Sequence, residues 1–195
     1  MFRDHLKRII EGNDLSEAQM SEMMTEIFSG SVTDSQIGAM MAALATKGET
    51  FTELAGAARA MRRKAIRIDV PSATIVDTCG TGGDGLNTFN ISTTTAFVVA
   101  ACGAVVAKHG NRSVSSKCGS ADLLEALGVN LNVDPEIVEE AVADIGIGFL
   151  FAPLYHSAMR FAATARKEIG LRSIFNMRSH ANILCITSNR INPNF

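Results

Sequence analysis

The sequence predicts an α/β protein in which a small all-helical N-terminal domain precedes a mainly parallel-sheet α/β domain. Three observations predict it. Apolar residues recur at helical spacing through residues 1–66, short β-type runs alternate with helical ones from Thr74 onward, and a glycine-dense loop follows the first of those runs. The expected organisation is a helical domain over 1–66, an incomplete α/β domain over 72–177 and a divergent tail over 178–195.

In the first domain, "DLSEAQMSEMMTEIFSG" offers Ser16 as a cap and Gly30 as a stop. "TDSQIGAMMAALATKG" repeats the design from Thr33 or Asp34 to Gly48, and "TFTELAGAARAMRRKA" adds another helix. A methionine stripe runs through Met20, Met23, Met24, Met40, Met41 and Met61. It reads as core filling ahead of a partner surface, because Met at helical spacing fills cores more often. "IRIDVPSA" is a short hinge.

The second domain opens with "TIVDT" as a strand, then the glycine loop, then "STTTAFVVAACG" as a helix capped near Ser92 and stopped by Gly103. "AVVAKH" and "IGFLFAP" read as strands. "ADLLEALG", "DPEIVEEAVADIG" and "HSAMRFAATARKEIG" read as helices.

Composition narrows the function classes. With 47% hydrophobic and 19% charged residues the chain is an ordered globular protein. A net charge of -2 argues against nucleic-acid binding by bulk electrostatics. "MFRDHLKRII" has no apolar signal region, and the run from Ala96 to Ala107 is too short for a bilayer, so no membrane role is expected. Cys79, Cys102, Cys118 and Cys185 are scattered, which favours reduced thiols in a cytoplasm over disulfides or zinc.

Gly80-Thr81-Gly82-Gly83-Asp84-Gly85 fits G-x-G-x-x-G after a strand. A dinucleotide site also needs an acidic residue about 20 positions on. No Asp or Glu stands between Asp84 and Asp122, whereas Lys108, Arg112 and Lys117 do. The dinucleotide reading loses. An anion cradle remains, with loop amides and the helix start after Ser92 facing phosphate oxygens. A second loop, "KHGNRSVSSKCGS", brings cations and hydroxyls to the same sheet edge, so a ligand with phosphate at both ends suits the pair. Singly, Ser92 reads equally as a helix cap, His109 as a loop residue and Arg112 as a solvated cation; the acid-free window joins them.

"GTGGDGLNTFNIST", "KHGNRSVSSKCGSAD" and "ARKEIGLRSIFN" closely resemble the anthranilate phosphoribosyltransferases, as do "EGNDLSEAQMSEMMTEIFSG" and "DSQIGAMMAALATKGET" in the helical part. The related pyrimidine nucleoside phosphorylases share the fold and a glycine loop but lack "KHGNR" in this form. The resemblance implies transfer of a phosphoribosyl group from phosphoribosyl pyrophosphate to the amine of anthranilate, with Mg2+ and release of pyrophosphate, in tryptophan biosynthesis. It also implies a homodimer through the helical domain.

By position, the resemblance places phosphoribosyl pyrophosphate against Gly80, Gly83, Asp84, Thr88, Asn90, Ile91, Ser92 and Thr93. The second loop would add Lys108, His109, Gly110, Asn111, Arg112, Ser113, Val114, Ser115 and Ser116, with Ser120 closing it. Gly80, Asn111 and Arg166 would meet anthranilate, and Ser92 would ligate magnesium. No catalytic base is expected, because an aryl amine is neutral at pH 7 and attacks without deprotonation. The resemblance ends after Met177, and the tail Arg178–Phe195 holds no carboxylate. The family's Asp-Glu magnesium pair lies beyond the matching part, so this chain is expected to show little turnover. Two alternatives stand beside the transferase: a non-catalytic chain that binds phosphoribosyl ligands or a partner, and a pyrimidine nucleoside phosphorylase.

Overall fold

The computed structural model describes residues 1–70, 74–78, 89–113, 118–170 and 173–176. They form two compact units, one from Met1–Ala65 with His156 and the described residues after it, the other from Ile66–Tyr155.

The helical unit begins with α1 (Phe2–Ile10), α2 (Glu17–Phe28), α3 (Asp34–Lys47) and α4 (Phe51–Lys64). Three of these starts are capping boxes. Ser16, Thr33 and Thr50 each accept from the amide three residues on, and Gln19, Gln36 and Glu53 return the bond to the cap amide. Reciprocal bonding satisfies two otherwise orphaned donors at each start, which sets the helix boundary locally. α2 ends at Ser29, and Gly30 follows with φ +78, packed so closely under the Phe161 ring that a Cβ would sit 2.7 Å from it. Gly56 likewise lets α4 lie against α2, since a Cβ there would meet the Glu17 carbonyl and Met20. The methionine stripe is core: Met20, Met23, Met24, Met40 and Met41 are fully buried, and Met61 nearly so. Each large apolar side chain so buried contributes about 1.5–3 kcal/mol.

"HSAMRFAATARKEIG" is not one helix. It runs as a 3₁₀ segment over Ser157–Ala162 and continues as an α-helix over Ala163–Ile169, with a further 3₁₀ turn at Ile174–Asn176. The break falls between Ala162 and Ala163, seven residues past the change of unit at Tyr155–His156. Ala162, Ala165, Ile174 and Phe175 join the methionine core, so these residues pack with the N-terminal helices and not within the α/β unit. The α/β span expected over 72–177 therefore divides at Tyr155–His156, and the tail 178–195 lies outside the described residues.

The α/β unit contains β1 (Ile75–Val76), α5 (Ile91–Ala101), β2 (Val105–Gly110), α6 (Ser120–Ala126), α7 (Pro135–Ile145), β3 (Ile147–Phe151) and α8 (Ala152–Tyr155). α9 of the chain is Ala163–Ile169 in the helical unit. The described strands form a parallel sheet in the order β1-β2-β3, with Val106 opposite both Val76 and Ile147. β-branched residues suit β2, which is buried at Val106 and Ala107 as an inner parallel strand requires. Gly148 brings α7 onto β3, where a Cβ would collide with Val142 and stand 2.9 Å from Val138. Parallel strands put all their carboxyl ends on one edge, and that edge carries the candidate site.

Candidate anion-binding site

Three segments converge on the carboxyl edge: Asp77–Thr78 after β1, Phe89–Thr93 at the start of α5, and Lys108–Ser113 at the end of β2. Lys108 joins them. It is 3% exposed, and its Nζ donates to the Thr78 carbonyl at 2.6 Å and to Ser92 Oγ at 3.5 Å. Thr78 Oγ1 in turn donates to the Ser92 carbonyl at 2.7 Å. The amide of His109 donates to Asp77 Oδ2 at 3.2 Å. An ammonium so deep in the protein is held by oxygen dipoles from two separate elements, and both elements are thereby fixed to β2.

The N-terminus of α5 differs from the sequence expectation. Asn90, not Ser92, occupies the cap position, and it makes no side-chain cap bond. Its amide group instead donates to the Gly119 carbonyl at 3.1 Å and approaches Cys118 Sγ at 3.6 Å. Ile91, Ser92 and Thr93 thus begin a helix with no side-chain cap from Asn90. The Ile91 amide donates to the Phe89 carbonyl at 2.7 Å and the Thr93 amide to the Asn90 carbonyl at 3.1 Å, and the helix dipole opens on this edge. The Thr93 hydroxyl is buried with no hydrogen-bond partner among the described residues.

The second segment is bound to itself. The Asn111 carbonyl accepts from Ala121 N at 3.2 Å and Ser120 Oγ at 3.3 Å, and Asn111 Oδ1 accepts from Arg112 N at 2.7 Å. Asp122 Oδ2 accepts from Ser113 N at 2.9 Å and Gly119 N at 2.8 Å. The Arg112 guanidinium forks onto Glu125 at 2.7 and 2.8 Å and reaches Asp122 Oδ1 at 3.2 Å. Gly119 has to be glycine, since a Cβ there would strike the Ser113 amide. Gly110 is equally crowded, by Ser120 and the Phe149 ring. The Ser113 and Gly119 amides, then the Arg112 guanidinium, hold the Asp122 carboxyl below the usual carboxylate range. Glu125 is lowered chiefly by its bonds to Arg112.

So the structure brings Asn90, Ile91, Ser92, Thr93, Lys108, His109, Gly110, Asn111, Arg112, Ser113 and Ser120 to one edge of the sheet. Arg112 faces two carboxylates there, so it is neither the solvated cation of the single-residue reading nor the unpaired phosphate-loop cation that the acid-free window suggests. Gly80, Gly83, Asp84, Thr88, Val114, Ser115 and Ser116 lie outside the described residues. Arg166 belongs to the helical unit, on α9. It is half-buried, its Cζ lies 6.0 Å from the Phe175 ring centroid, and its Nε has no hydrogen-bond partner among the described residues. It makes no ion pair with Glu168, and burial pulls its pKa below the ordinary arginine value.

Sequence reasoning missed Asp77, Thr78 and Asp122. The spacing of Gly119 to Asp122, three residues before an apolar run, is the signal that exposes the last of them, because it is the carboxylate half of a capping box. Beside the edge lies an apolar cavity of about 370 Å³ between α5, α7 and the β2–β3 face; Phe97, Val138 and Phe149 line it, and Thr93 and Lys108 reach its wall. Ser92 alone does not fit a magnesium ion: it supplies one oxygen, with the Lys108 ammonium 3.5 Å away. Among the described residues there is no cluster of three His, Cys, Asp or Glu that could hold a metal.

The chain matches the glycosyl transferase family twice, its a/b domain over residues 72–189 and its helical bundle domain over 3–65. It belongs to the glycosyl transferase family. The chain is 72% identical to the anthranilate phosphoribosyltransferase of Syntrophobacter fumaroxidans over 177 residues, which is 91% of this chain and 52% of the relative. It is 70% identical, with the same coverage, to that of Desulfatibacillum aliphaticivorans. The chain therefore spans about half the length of the curated relatives it matches. Among solved structures, anthranilate phosphoribosyltransferase from Thermus thermophilus superposes with TM-score 0.82 at 47% identity, over 88% of this chain and 52% of that one. The Saccharomyces cerevisiae enzyme in complex with PRPP and Mg gives TM-score 0.85 at 27% identity, over 95% of this chain and 55% of that one.

Proposed function

We propose that this glycosyl transferase family member belongs to the reaction that transfers the phosphoribosyl group of phosphoribosyl pyrophosphate to the anthranilate amine with release of pyrophosphate, its 195 residues supplying the phosphate-binding edge and showing little turnover by themselves. The observation that carries the reading is the buried Lys108 ammonium fixed between Thr78 and Ser92, at the edge where α5 begins with no side-chain cap from Asn90. Cation and helix dipole together favour a polyanion there. The names of the relatives support the reading, as does the yeast structure holding PRPP and Mg.

In this reading the chain's own groups bind and orient. Lys108 and the dipole at the start of α5 stabilise the charge that grows on pyrophosphate as the ribose C1 bond breaks, which is electrostatic catalysis combined with positioning. The anthranilate amine attacks C1 in its neutral form as the C1–O bond to pyrophosphate breaks. The strongly acidic arylammonium so formed gives its proton to water or to the departing pyrophosphate, so no protein base is needed to activate the amine. Arg166 offers a desolvated guanidinium that a carboxylate pairs with two parallel bonds. Magnesium, bound with PRPP in the yeast relative, would be carried by the substrate's phosphates, and no role is assigned to Ser92 in holding it. A homodimer through the helical unit, where Ile10 and Phe51 are exposed apolar residues, and a cytoplasmic site of action complete the proposal. No helix among the described residues is long and apolar enough to cross a membrane.

The test is calorimetry with phosphoribosyl pyrophosphate on wild type and Lys108→Ala. Loss of one charged hydrogen bond weakens binding by about 1.5–3 kcal/mol. Equal affinities would remove Lys108 from the site and the reading with it.

A further inference from the structure

We propose that Asp122 is a positioning residue: its Oδ2 straps the Ser113 and Gly119 amides to one point and presets the carboxyl-edge backbone of the described residues beside them before any ligand arrives. The inference rests on the phosphoribosyl pyrophosphate reading for what that backbone then binds. Its own basis is geometric. One oxygen accepts two amides whose residues are six apart in sequence, Ser113 at 2.9 Å and Gly119 at 2.8 Å. The same carboxylate uses Oδ1 on Arg112 at 3.2 Å, so three consecutive constraints meet on a single side chain. Asp122 is the third residue of α6, and the helix holds it in place while it holds the strap.

The consequences of the closure reach the candidate residues on either side. With Ser113 and Gly119 tied together, the Asn111 carbonyl lies within reach of Ala121 N and Ser120 Oγ. The Gly119 carbonyl is at the same time presented to the Asn90 side chain at 3.1 Å. That last bond ties the strap to the start of α5, and it is the reason Asn90 does not cap its own helix. Asp122 therefore acts through other residues. It touches no reacting atom, and it sets where Asn90, Asn111 and Ser120 stand. A site whose backbone is ordered in advance binds more tightly because the ordering entropy is not lost at the moment of association.

Asp122→Ala and Asp122→Asn separate this from alternatives. Asparagine keeps an acceptor for the two amides but replaces the oxygen facing Arg112 with a donor; alanine removes everything. Two quantities are read on the 195-residue chain: amide exchange at Ser113 and Gly119 without ligand, and the Kd for phosphoribosyl pyrophosphate. Asp122→Ala is expected to speed exchange at both amides and to weaken binding about tenfold, with Asp122→Asn restoring both to within about threefold of wild type. Exchange unchanged in Asp122→Ala overturns the proposal. Faster exchange with unchanged Kd also overturns it, since the strap is then decoration. An asparagine variant as damaged as alanine overturns the backbone account and moves the role to the charge beside Arg112. A wild-type chain that binds no phosphoribosyl pyrophosphate sinks the ligand reading, and the exchange arm alone then decides whether Asp122 holds the strap.

Discussion

Two carboxylate clasps tie distant parts of this chain together, and burial separates them. In the helical unit, Glu53 is fully buried and accepts from the Leu15 amide at 3.0 Å, the Thr50 amide at 2.9 Å and Lys47 Nζ at 3.0 Å. Lys47 continues to Asp14 at 2.7 Å. In the α/β unit, Asp122 and Glu125 do comparable bonding around Arg112 with 31% and 51% of their side chains exposed. Similar geometry, different solvent. In the buried clasp, losing the acceptor strands donors that water cannot reach. In the exposed clasp, water replaces the lost partner, so the effect stays in local order. The first belongs to stability and the second to the shape of a binding edge.

The largest effect expected from this contrast is in Glu53→Ala. Removing one member of a buried pair costs about 3–5 kcal/mol, here with two orphaned amides and a buried ammonium left behind. Urea denaturation gives the number; a loss near that of an exposed pair would erase the distinction. Acid should act in the same direction. Burial alone would raise the Glu53 pKa, but the amides of Thr50 and Leu15 and the Lys47 ammonium outweigh it and leave it below the ordinary value. The group's stabilisation is complete above the unfolded carboxylate pKa and disappears as pH falls through the lower folded value.

His156 gives the next largest effect, again in the helical unit. Burial pushes it down to about 4 from 6.5, so the unfolded chain binds a proton in a window where the folded one does not. Stability is full above pH 6.5 and falls by about 3 kcal/mol as pH drops to about 4. Melting curves across that window, compared with His156→Asn, check it; the asparagine variant should flatten the slope between those pH values.

Arg166→Lys comes third, and it tests the anthranilate side of the proposed function. A lysine keeps the charge but not the two-bond fork, so KM for anthranilate is expected to rise about tenfold in a turnover assay with a catalytically competent form. An unchanged KM returns Arg166 to packing against Phe175.

The smallest effect is the counterpart of the first. Glu125→Ala, in the exposed clasp, should move Tm by no more than about a degree or two. A loss rivalling that of Glu53→Ala would mean that burial does not separate the clasps.

Much of the helical unit was legible because its signals are local. Ser16, Thr33 and Thr50 each stand three residues before the Gln or Glu that completes a box, and the methionines fall on one face per helix. The strands at 105–110 and 147–151 were legible as short apolar runs. Three things were not. The helix start at Ile91 was hidden because Asn90 gives its side chain to Gly119, 29 residues away, and no local rule anticipates that. "HSAMRFAATARKEIG" has continuous helical propensity, yet it changes from 3₁₀ to α geometry between Ala162 and Ala163, where Ala162 and Ala165 pack into the methionine core, and no local signal marks that point. Arg112 reads as a free cation in an acid-free window, while the carboxylates that bind it sit just past the window's end on α6.

The discontinuity of the helical unit carries a consequence for biosynthesis. Its first stretch ends at Ala65, and the stretch that completes it begins at His156, ninety residues later in the order of synthesis. When α4 leaves the ribosome, the Phe161 ring that covers Gly30 and the α9 residues that pack on α3 have not yet been made. Part of the methionine surface stays open to solvent until the intervening α/β segment has emerged. A long closure of this kind slows completion and leaves a nascent chain with exposed apolar surface. A fragment ending at Ala65 should therefore be a poor stand-in for the N-terminal domain, and one ending near Asn176 a far better one.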